Sequence, residues 1–528
     1  MKHTPAATNL PSRPTTARPT TRAWASLLVL TPAMLLSACA GSKAGSSASR
    51  SATRAPVGTP GAIVLDGQVD EWPADRWAMA DADYLYLRVR LEGELVTPQA
   101  NSESLSIMLD LDADATTGER LHTPRAAEGL GADVEIVFSP RREGEDGDED
   151  GGLERGVAVI THRTDGVSER HTHAAAGLIV APTCASDWFE MRLSRHALAG
   201  AGMPGYGLAS AGRVGGISIL RDASGDLVGW SDRFEIEAPS LSSSEPRASV
   251  SVPVKKPGTL RVASWNVLHS SPMKDPGPFD RALSALDPDV VLVQEWNVDD
   301  EQEIEAWFNA LMPDATWEVA GNAGGLDAGG GVAIASRYPI TRRLDRAVTS
   351  NVDGREQPVR VAAAVIDTPE GPGLFASIHL KCCGGPRTAE ETRRVAEAAE
   401  VQATLESLAR EVGVIELIVV GGDSNLVGTR EPLDALRRGL DRDGSDLSVA
   451  PAMVLGDRHY STWRDDDSSF APGRLDYVCV GDAAYEIAGS FVLDARVLSD
   501  GTLTRLGIER ADTDTSDHHP VVVDLRRR

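Results

Sequence analysis

The sequence predicts two folded regions, an all-β sandwich followed by a mixed α/β (α+β) assembly of layered sheets and helices. Three observations lead there. At 528 residues the chain is longer than one hydrophobic core usually organises. Short alternating segments with no useful helical period fill residues 61–237. Over residues 258–528, unbroken apolar runs and helical patterns interleave instead. A Ser- and Pro-rich stretch at 238–257 separates the two and reads as a linker.

Taken in order, residues 1–22 are polar, basic and rich in Pro and Thr, and an apolar run follows from Ala23 to Ala38. That run, about sixteen residues, is short for a membrane span and suits the apolar segment of an export signal. It ends Leu36-Ser37-Ala38-Cys39, with Ala40 and Gly41 beyond. This resembles the lipobox of bacterial lipoproteins, which implies cleavage after Ala38 and a lipid on Cys39. The expected location is the bacterial cell envelope, at the outer membrane or cell surface, with the lipid tethering folded domains that stay in water. Residues 39–60, mostly Ser, Ala and Gly, would be the flexible tether.

Within 61–237, the alternation Tyr84-Leu85-Tyr86-Leu87-Arg88-Val89-Arg90 predicts a half-buried strand, as do 134–138 and 188–193. Asp110, Asp112, Asp114 and Asp133 offer hard oxygen ligands, for which Ca2+ is the fitting ion. A solvated acidic loop is the alternative. The loop is not an EF-hand, because Ala115 stands where glycine is needed and Leu121 where the bidentate Glu would be. The region resembles carbohydrate-binding-module family 9, implying glycan as a possible partner, although no aromatic platform can be named from the sequence. The acidic run 143–150 reads as a loop insertion.

From residue 258 onward, strands are predicted at 260–267, 290–294, 332–336, 359–366, 374–379, 415–421, 475–480 and 521–525, and helices at 279–286, 301–311 and 388–408. The informative feature is where polar groups interrupt strand ends. Asn266, Glu295, His379, the pair Asp423 and Asn425, Asp476, and Asp517 with His518 each follow or precede an apolar run. In an extended segment Asp423 and Asn425, at i and i+2, share one face. Singly these are turn residues, surface charges or satisfied histidines. Together they suggest one site.

The residues and their order resemble the endonuclease/exonuclease/phosphatase superfamily, which includes DNase I, apurinic endonucleases, sphingomyelinases and inositol-phosphate 5-phosphatases. The resemblance implies a four-layer sandwich and a Mg2+-dependent (or Mn2+-dependent) phosphoesterase. It implies Asn266, Glu295 and Asp517 as the metal shell, with Asp423 and Asn425 around the nucleophile and phosphate. His379 and His518 would be the histidine pair, Asp476 would orient one of them, and His519 would be a bystander. The first histidine has no identifiable acidic partner. A phosphoryl centre repels nucleophiles, so hard ligands that fix a charge-withdrawing cation, beside imidazoles that divide the proton work, suit this chemistry.

A formal charge of −26 disfavours a long polyanion. A small phosphate ester or lipid headgroup is therefore the expected substrate, with an extracellular or periplasmic DNase I-like nuclease as the alternative. A catalytically inactive glycan- or calcium-binding lipoprotein is the third reading. Beyond Cys39 the cysteines are Cys184, Cys382, Cys383 and Cys479. Adjacent cysteines are poorly placed to bridge each other, which leaves Cys382 or Cys383 with Cys479 as a possible pair.

Overall fold

The computed structural model describes residues 63–91, 96–141, 153–163, 166–200, 212–298, 300–322, 331–413 and 415–528. The expected export signal and tether, Cys39 and the acidic run 143–150 lie outside the described residues, as do the glycines between 323 and 330. Among the described residues, no helix is long and apolar enough to cross a membrane.

The N-terminal region is all-β apart from short helical turns, of which the α-helix Arg195–Gly200 is the longest. One sheet orders Ala78–Ala80, Tyr84–Arg90, Trp188–Ser194 and Ile179–Ala181; the second is built on Arg213–Asp222, Glu103–Asp110, Val134–Phe138 and Val157–His162. Alternation decides what fills the space between them. Leu85, Leu87 and Val89 from one sheet meet Leu105, Ile107, Leu109, Ile136 and Phe138 from the other in one core.

The C-terminal region contains two seven-stranded sheets. One runs Glu318–Gly321, Val332–Ser336, Val290–Gln294, Thr259–Asn266, Val521–Arg527, Tyr485–Val492, Met453–Val454. The other runs Ile340–Arg343, Arg355–Thr368, Gly371–His379, Leu417–Asp423, Asp476–Val480, Ser448–Val449, with Val348–Val352 paired to Arg355–Thr368. Their facing sides share a core of Val262, Leu292, Ile334, Phe375, Val419, Val478 and Val523. The opposite side of the first sheet packs Trp265 and Val291 against Phe279, Leu283 and Phe308 of helices Pro276–Leu286 and Glu301–Leu311. The second sheet likewise packs Val361, Ile378 and Val420 against Val401 and Leu405 of helix Ala389–Val412. Both faces of the central strands are thus apolar, which is why they read as continuous runs.

Two parallel pairings place the polar strand ends. Thr259–Asn266 crosses over through helix Pro276–Leu286 to pair in parallel with Val290–Gln294, setting Asn266 opposite Gln294. Gly371–His379 crosses through helix Ala389–Val412 to pair in parallel with Leu417–Asp423, setting His379 opposite Asp423. Antiparallel pairing then brings Asp476 opposite Asp423. The carboxyl ends of parallel strands therefore open together, as in other open α/β sheets where ligands gather at such ends.

Several strands escape the sequence reading. Tyr485–Val492 is half-exposed and irregular, with a register shift between Ile487 and Gly489 that breaks its alternation. Glu318–Gly321, Ile340–Arg343 and Val348–Val352 are too short or too polar to stand out.

The two regions touch. Arg192 of the sandwich forks onto Asp457, with Nη2 donating to Oδ2 at 2.8 Å, and the Leu65 amide donates to the Arg458 carbonyl at 2.9 Å. Burial pushes the Asp457 carboxyl up, but the charges of Arg192 and His459 outweigh it and hold it well below its ordinary 3.8. A depressed native value means stability that is present above 3.8 and is lost as the pH falls through that native value. Urea unfolding of wild type and Asp457→Asn is accordingly expected to differ most at neutral pH and to converge as the solution is acidified below pH 3.8.

Candidate active site

Two glycines before Asp423 let the backbone reach the site. Gly422 has φ +147°, and a Cβ there would lie 2.0 Å from the Ile378 carbonyl oxygen; at Gly421 a Cβ would meet Leu292 Cδ1 of the facing sheet at 2.8 Å. Gly422→Ala is therefore expected to push apart the strands that carry His379 and Asp423. The check is kcat/KM with any phosphate ester turned over by wild type, which should fall at least tenfold, on the order of the 1.4 kcal/mol such a misplacement represents.

Asp423 Oδ2 is the meeting point. Asn425 Nδ2 donates to it at 3.0 Å and Asn266 Nδ2 at 3.3 Å, while His379 Nε2 lies 3.5 Å away and His518 Nε2 3.7 Å away. The backbone N–H of Asn425 donates to Asp423 Oδ1 at 2.9 Å. Asp423 and Asn425 do converge, though not as neighbours on one extended face. Asn425 adopts a left-handed φ of 46°, a conformation Asn tolerates, and so turns its amide back onto the carboxylate.

Glu295 joins from the next strand end. It accepts from Asn266 Nδ2 at 3.1 Å, and its Oε1 lies 3.9 Å from His379 Nε2. On the other side, His518 Nδ1 is 2.8 Å from Asp476 Oδ2, which also accepts from Thr462 Oγ1 at 2.6 Å. The result is a buried carboxylate–imidazole–carboxylate line, Asp476–His518–Asp423.

The two imidazoles are electrostatically opposite. Burial, reinforced by the nearby Arg360, holds His379 well below its usual range, so it is neutral at pH 7. Burial also acts to lower His518, but Asp476 and Asp423 outweigh it and raise the ring to about 10. Burial raises the Asp423 carboxyl to about 7, against the opposing pull of His518. One fold thus supplies a neutral ring, a cationic ring and a carboxyl near neutrality, an arrangement typical of acid–base sites.

Asp517, the third residue of the metal shell read from the sequence, is held by Trp463. Its Oδ2 accepts from Trp463 Nε1 at 2.8 Å, while Oδ1 is buried without a hydrogen-bond partner. Asp423, Asp476 and His518 offer atoms within 4.8 Å of one another, but both nitrogens of His518 already face carboxylates. The oxygens better suited to a hard cation are those of Glu295 and Asn266 and the unpartnered Asp517 Oδ1, which adjoins His518 in the chain. His379 Nδ1 is likewise buried and unpartnered, consistent with the missing acidic partner in the sequence.

Residues 263–518 match the model of the Endonuclease/Exonuclease/phosphatase family. Those residues, a little under half of the chain, are similar to a domain of that family. No curated protein matches the chain. Solved structures similar to part of the chain include the human Nocturnin catalytic domain with bound sulfate anion, at 16% identity over 52% of this chain and 97% of that one, with a TM-score of 0.35. Another is the Neisseria 3′ phosphatase NExo bound to product DNA hairpin, at 18% identity, covering 50% and 98%, with a TM-score of 0.34. A third is Staphylococcus aureus beta toxin with bound magnesium ions, at 16% identity, covering 50% and 98%, with a TM-score of 0.33.

Around the Asp423 site the structure adds residues that strand-end reading passes over. His269 is 68% exposed in its side chain, with Nδ1 3.1 Å from Glu295 Oε2. Arg360 donates to the Leu380 carbonyl at 2.7 Å, and its burial lowers the guanidinium. The arginine at 360, inside the apolar stretch 359–366, was the available signal. Thr462 and Trp463 lie in a loop with no periodicity and gave none. His519 is buried against Arg496 and Asp494.

In the N-terminal region Asp110, Asp112 and Asp133 converge, and Oδ1 of both Asp110 and Asp133 is buried without a hydrogen-bond partner. Asp114 does not join them. It is exposed, and its Oδ1 accepts from Thr116 Oγ1 at 2.6 Å and from the Thr116 N–H at 2.9 Å, closing a local turn. Trp77 and Trp188 are stacked at 5.7 Å, with Arg88 within 5.6 Å of both ring centres.

Proposed function

We propose that the C-terminal domain is a Mg2+-dependent phosphoesterase, able to use Mn2+, acting on a small phosphate ester or lipid headgroup at the cell envelope. The observation that carries this is the convergence of Asn266, Glu295, His379, Asn425 and His518 on Asp423. Sheets backed on both sides by helices support the four-layer sandwich.

In this reading Glu295, Asn266 and Asp517 hold the cation, which withdraws charge from the phosphoryl oxygens when bound. Asn425 and Asp423 orient the attacking water. Its proton passes into the Asp423–His518–Asp476 line, where Asp476 fixes the ring's orientation through Nδ1. Neutral His379 donates toward the phosphate or the leaving oxygen, and burial of the cluster keeps competing water out.

The test is a panel of bis-aryl phosphate, sphingomyelin, inositol phosphates and DNA, with Mg2+ or with EDTA. Hydrolysis of a small ester or headgroup should be abolished by EDTA and restored by Mg2+. Turnover that ignores EDTA would sink the metal assignment. DNA cleavage falling steeply with salt would favour the nuclease alternative.

For the N-terminal region we propose Ca2+ at Asp110, Asp112 and Asp133, supported by the two unpartnered buried carboxylate oxygens. Burial raises Asp133 to about 7, a cost that a bound cation would remove. Added Ca2+ should raise the unfolding midpoint, and Asp133→Asn should erase that response. Glycan binding, if present, belongs on the Trp77 and Trp188 rings. Lipid on Cys39 would tether the chain, and Cys39→Ser should release it from membranes.

A further inference from the structure

Immediately beyond His379 the chain runs Leu380-Lys381-Cys382-Cys383-Gly384-Gly385. The sequence leaves a bridge between one of these cysteines and Cys479 open, with the connectivity unread, and the structure does not form it. Cys479 is fully buried in the core between its sheet and helix Ala389–Val412, and all four described cysteines are free thiols. The sulfurs that do meet are neighbours: Cys382 Sγ and Cys383 Sγ lie 2.8 Å apart, against about 2.05 Å for a disulfide bond.

The turn is built to hold them there. Cys383 takes a left-handed φ of 69° and Gly384 follows at 77°. Buried Arg394 donates to the carbonyls of both Lys381 and Cys383, pinning the main chain on either side of Cys382. The Lys381 N–H donates to Glu397 at 2.7 Å. Cys383 is exposed, so a small molecule can reach its sulfur. The turn is also tied to the cluster around Asp423: the Leu380 carbonyl accepts from Arg360 at 2.7 Å and from Asn425 Nδ2 at 3.2 Å.

We propose that Cys382 and Cys383 form a redox-modified site, closing a vicinal disulfide in exchange with small-molecule disulfides, and that its state is read at the phosphate pocket through Leu380 and Arg360. One cysteine thiolate attacks the incoming disulfide, forming a mixed disulfide and releasing one small thiol. The second thiolate displaces the other small thiol. Two electrons leave the protein, one S–S bond forms as one breaks, and both protons end on the released thiols. Consecutive α-carbons are about 3.8 Å apart, below the usual 4.4–6.8 Å of bridged cysteines, so the ring is strained. Strained, exposed disulfides are the readily reduced ones, which suits a reversible site more than a structural staple. The inference goes beyond the phosphoesterase reading, because the chemistry at the sulfurs can be read without any turnover.

The full chain is equilibrated with oxidised glutathione, alkylated without reductant and cut with trypsin. The peptide spanning 382–387 should appear unalkylated and two mass units light, and reduced dithiothreitol should reverse this. Recovery of that peptide with both cysteines alkylated, or joined to a peptide bearing Cys184 or Cys479, would overturn the site. For the coupling, KM for a turned-over ester is measured with wild type in oxidised and reduced states and with Cys382→Ser/Cys383→Ser. At least a twofold redox difference is expected in wild type and none in the double variant. A wild-type KM that ignores a demonstrated mass shift would overturn the link to the pocket. Cys383→Ser alone, at an exposed position, keeps the experiment decisive should the double variant fold poorly.

Discussion

Replacing His518 with alanine is expected to lower kcat/KM for a phosphate ester about 10³-fold, within the range by which positioned acid–base groups accelerate reactions. The side chain is buried and clamped between Asp476 at 2.8 Å and Asp423 at 3.7 Å, so alanine removes the ring that links them. Two neighbouring variants separate chemistry from collapse. Asp476→Asn keeps a polar group beside Nδ1 but removes the charge that raises the ring, and should cost on the order of tenfold to a hundredfold. Asp494→Asn, next to His519, should leave KM unchanged. Steady-state kinetics with matched urea midpoints would check all three. An unchanged kcat/KM in His518→Ala would remove the ring from the mechanism.

Arg261→Met is expected to be the most destabilising single change, by about 3–5 kcal/mol, because it strands a buried charge. Arg261 is 2% exposed and sits on the first strand of its sheet. Its Nε and Nη2 donate to Asp524 at 2.7 and 2.8 Å, Nη1 donates to the Leu286 carbonyl at 2.8 Å, and Nη2 also donates to the Pro253 carbonyl at 2.6 Å. One guanidinium thus ties together the linker, the first strand, the end of helix Pro276–Leu286 and the last strand. Methionine keeps most of the volume and leaves Asp524 and two carbonyls without it. Urea unfolding provides the measurement. The double variant Arg261→Met/Asp524→Leu should recover much of the loss, since an apolar pair can replace a buried ion pair. Equal loss in both variants would assign the effect to packing.

These two residues also mark what was legible in advance. His518 stood out because an imidazole beside an aspartate interrupts an apolar run, and such interruptions recur at the ends of the strands that form the site. Arg261 was invisible, since a single arginine in a strand announces neither its partners nor its burial. The central strands were read well because both their faces are buried and their apolar runs are unbroken. Edge strands such as Tyr485–Val492 carry mixed faces, and the signal thinned there. Local geometry was harder still. The extended-face rule placed Asp423 beside Asn425, but the contact arises from a left-handed turn. Asp114 shared the spacing of Asp110 and Asp112, yet Thr116 captured it. The adjacent cysteines read as poorly placed to bridge each other, and both are free thiols, although a turn pinned by Arg394 holds their sulfurs 2.8 Å apart.

The most direct test of the central claim, that strand-end amides and carboxylates hold one catalytic divalent cation, is Mn2+ binding to the full chain followed by electron paramagnetic resonance. Wild type should bind Mn2+ in competition with Mg2+, and Glu295→Gln should weaken that binding at least tenfold while its urea midpoint stays within about 1 kcal/mol of wild type. Wild-type hydrolysis proceeding with no bound Mn2+ or Mg2+, or Glu295→Gln binding Mn2+ as tightly as wild type, would contradict the account.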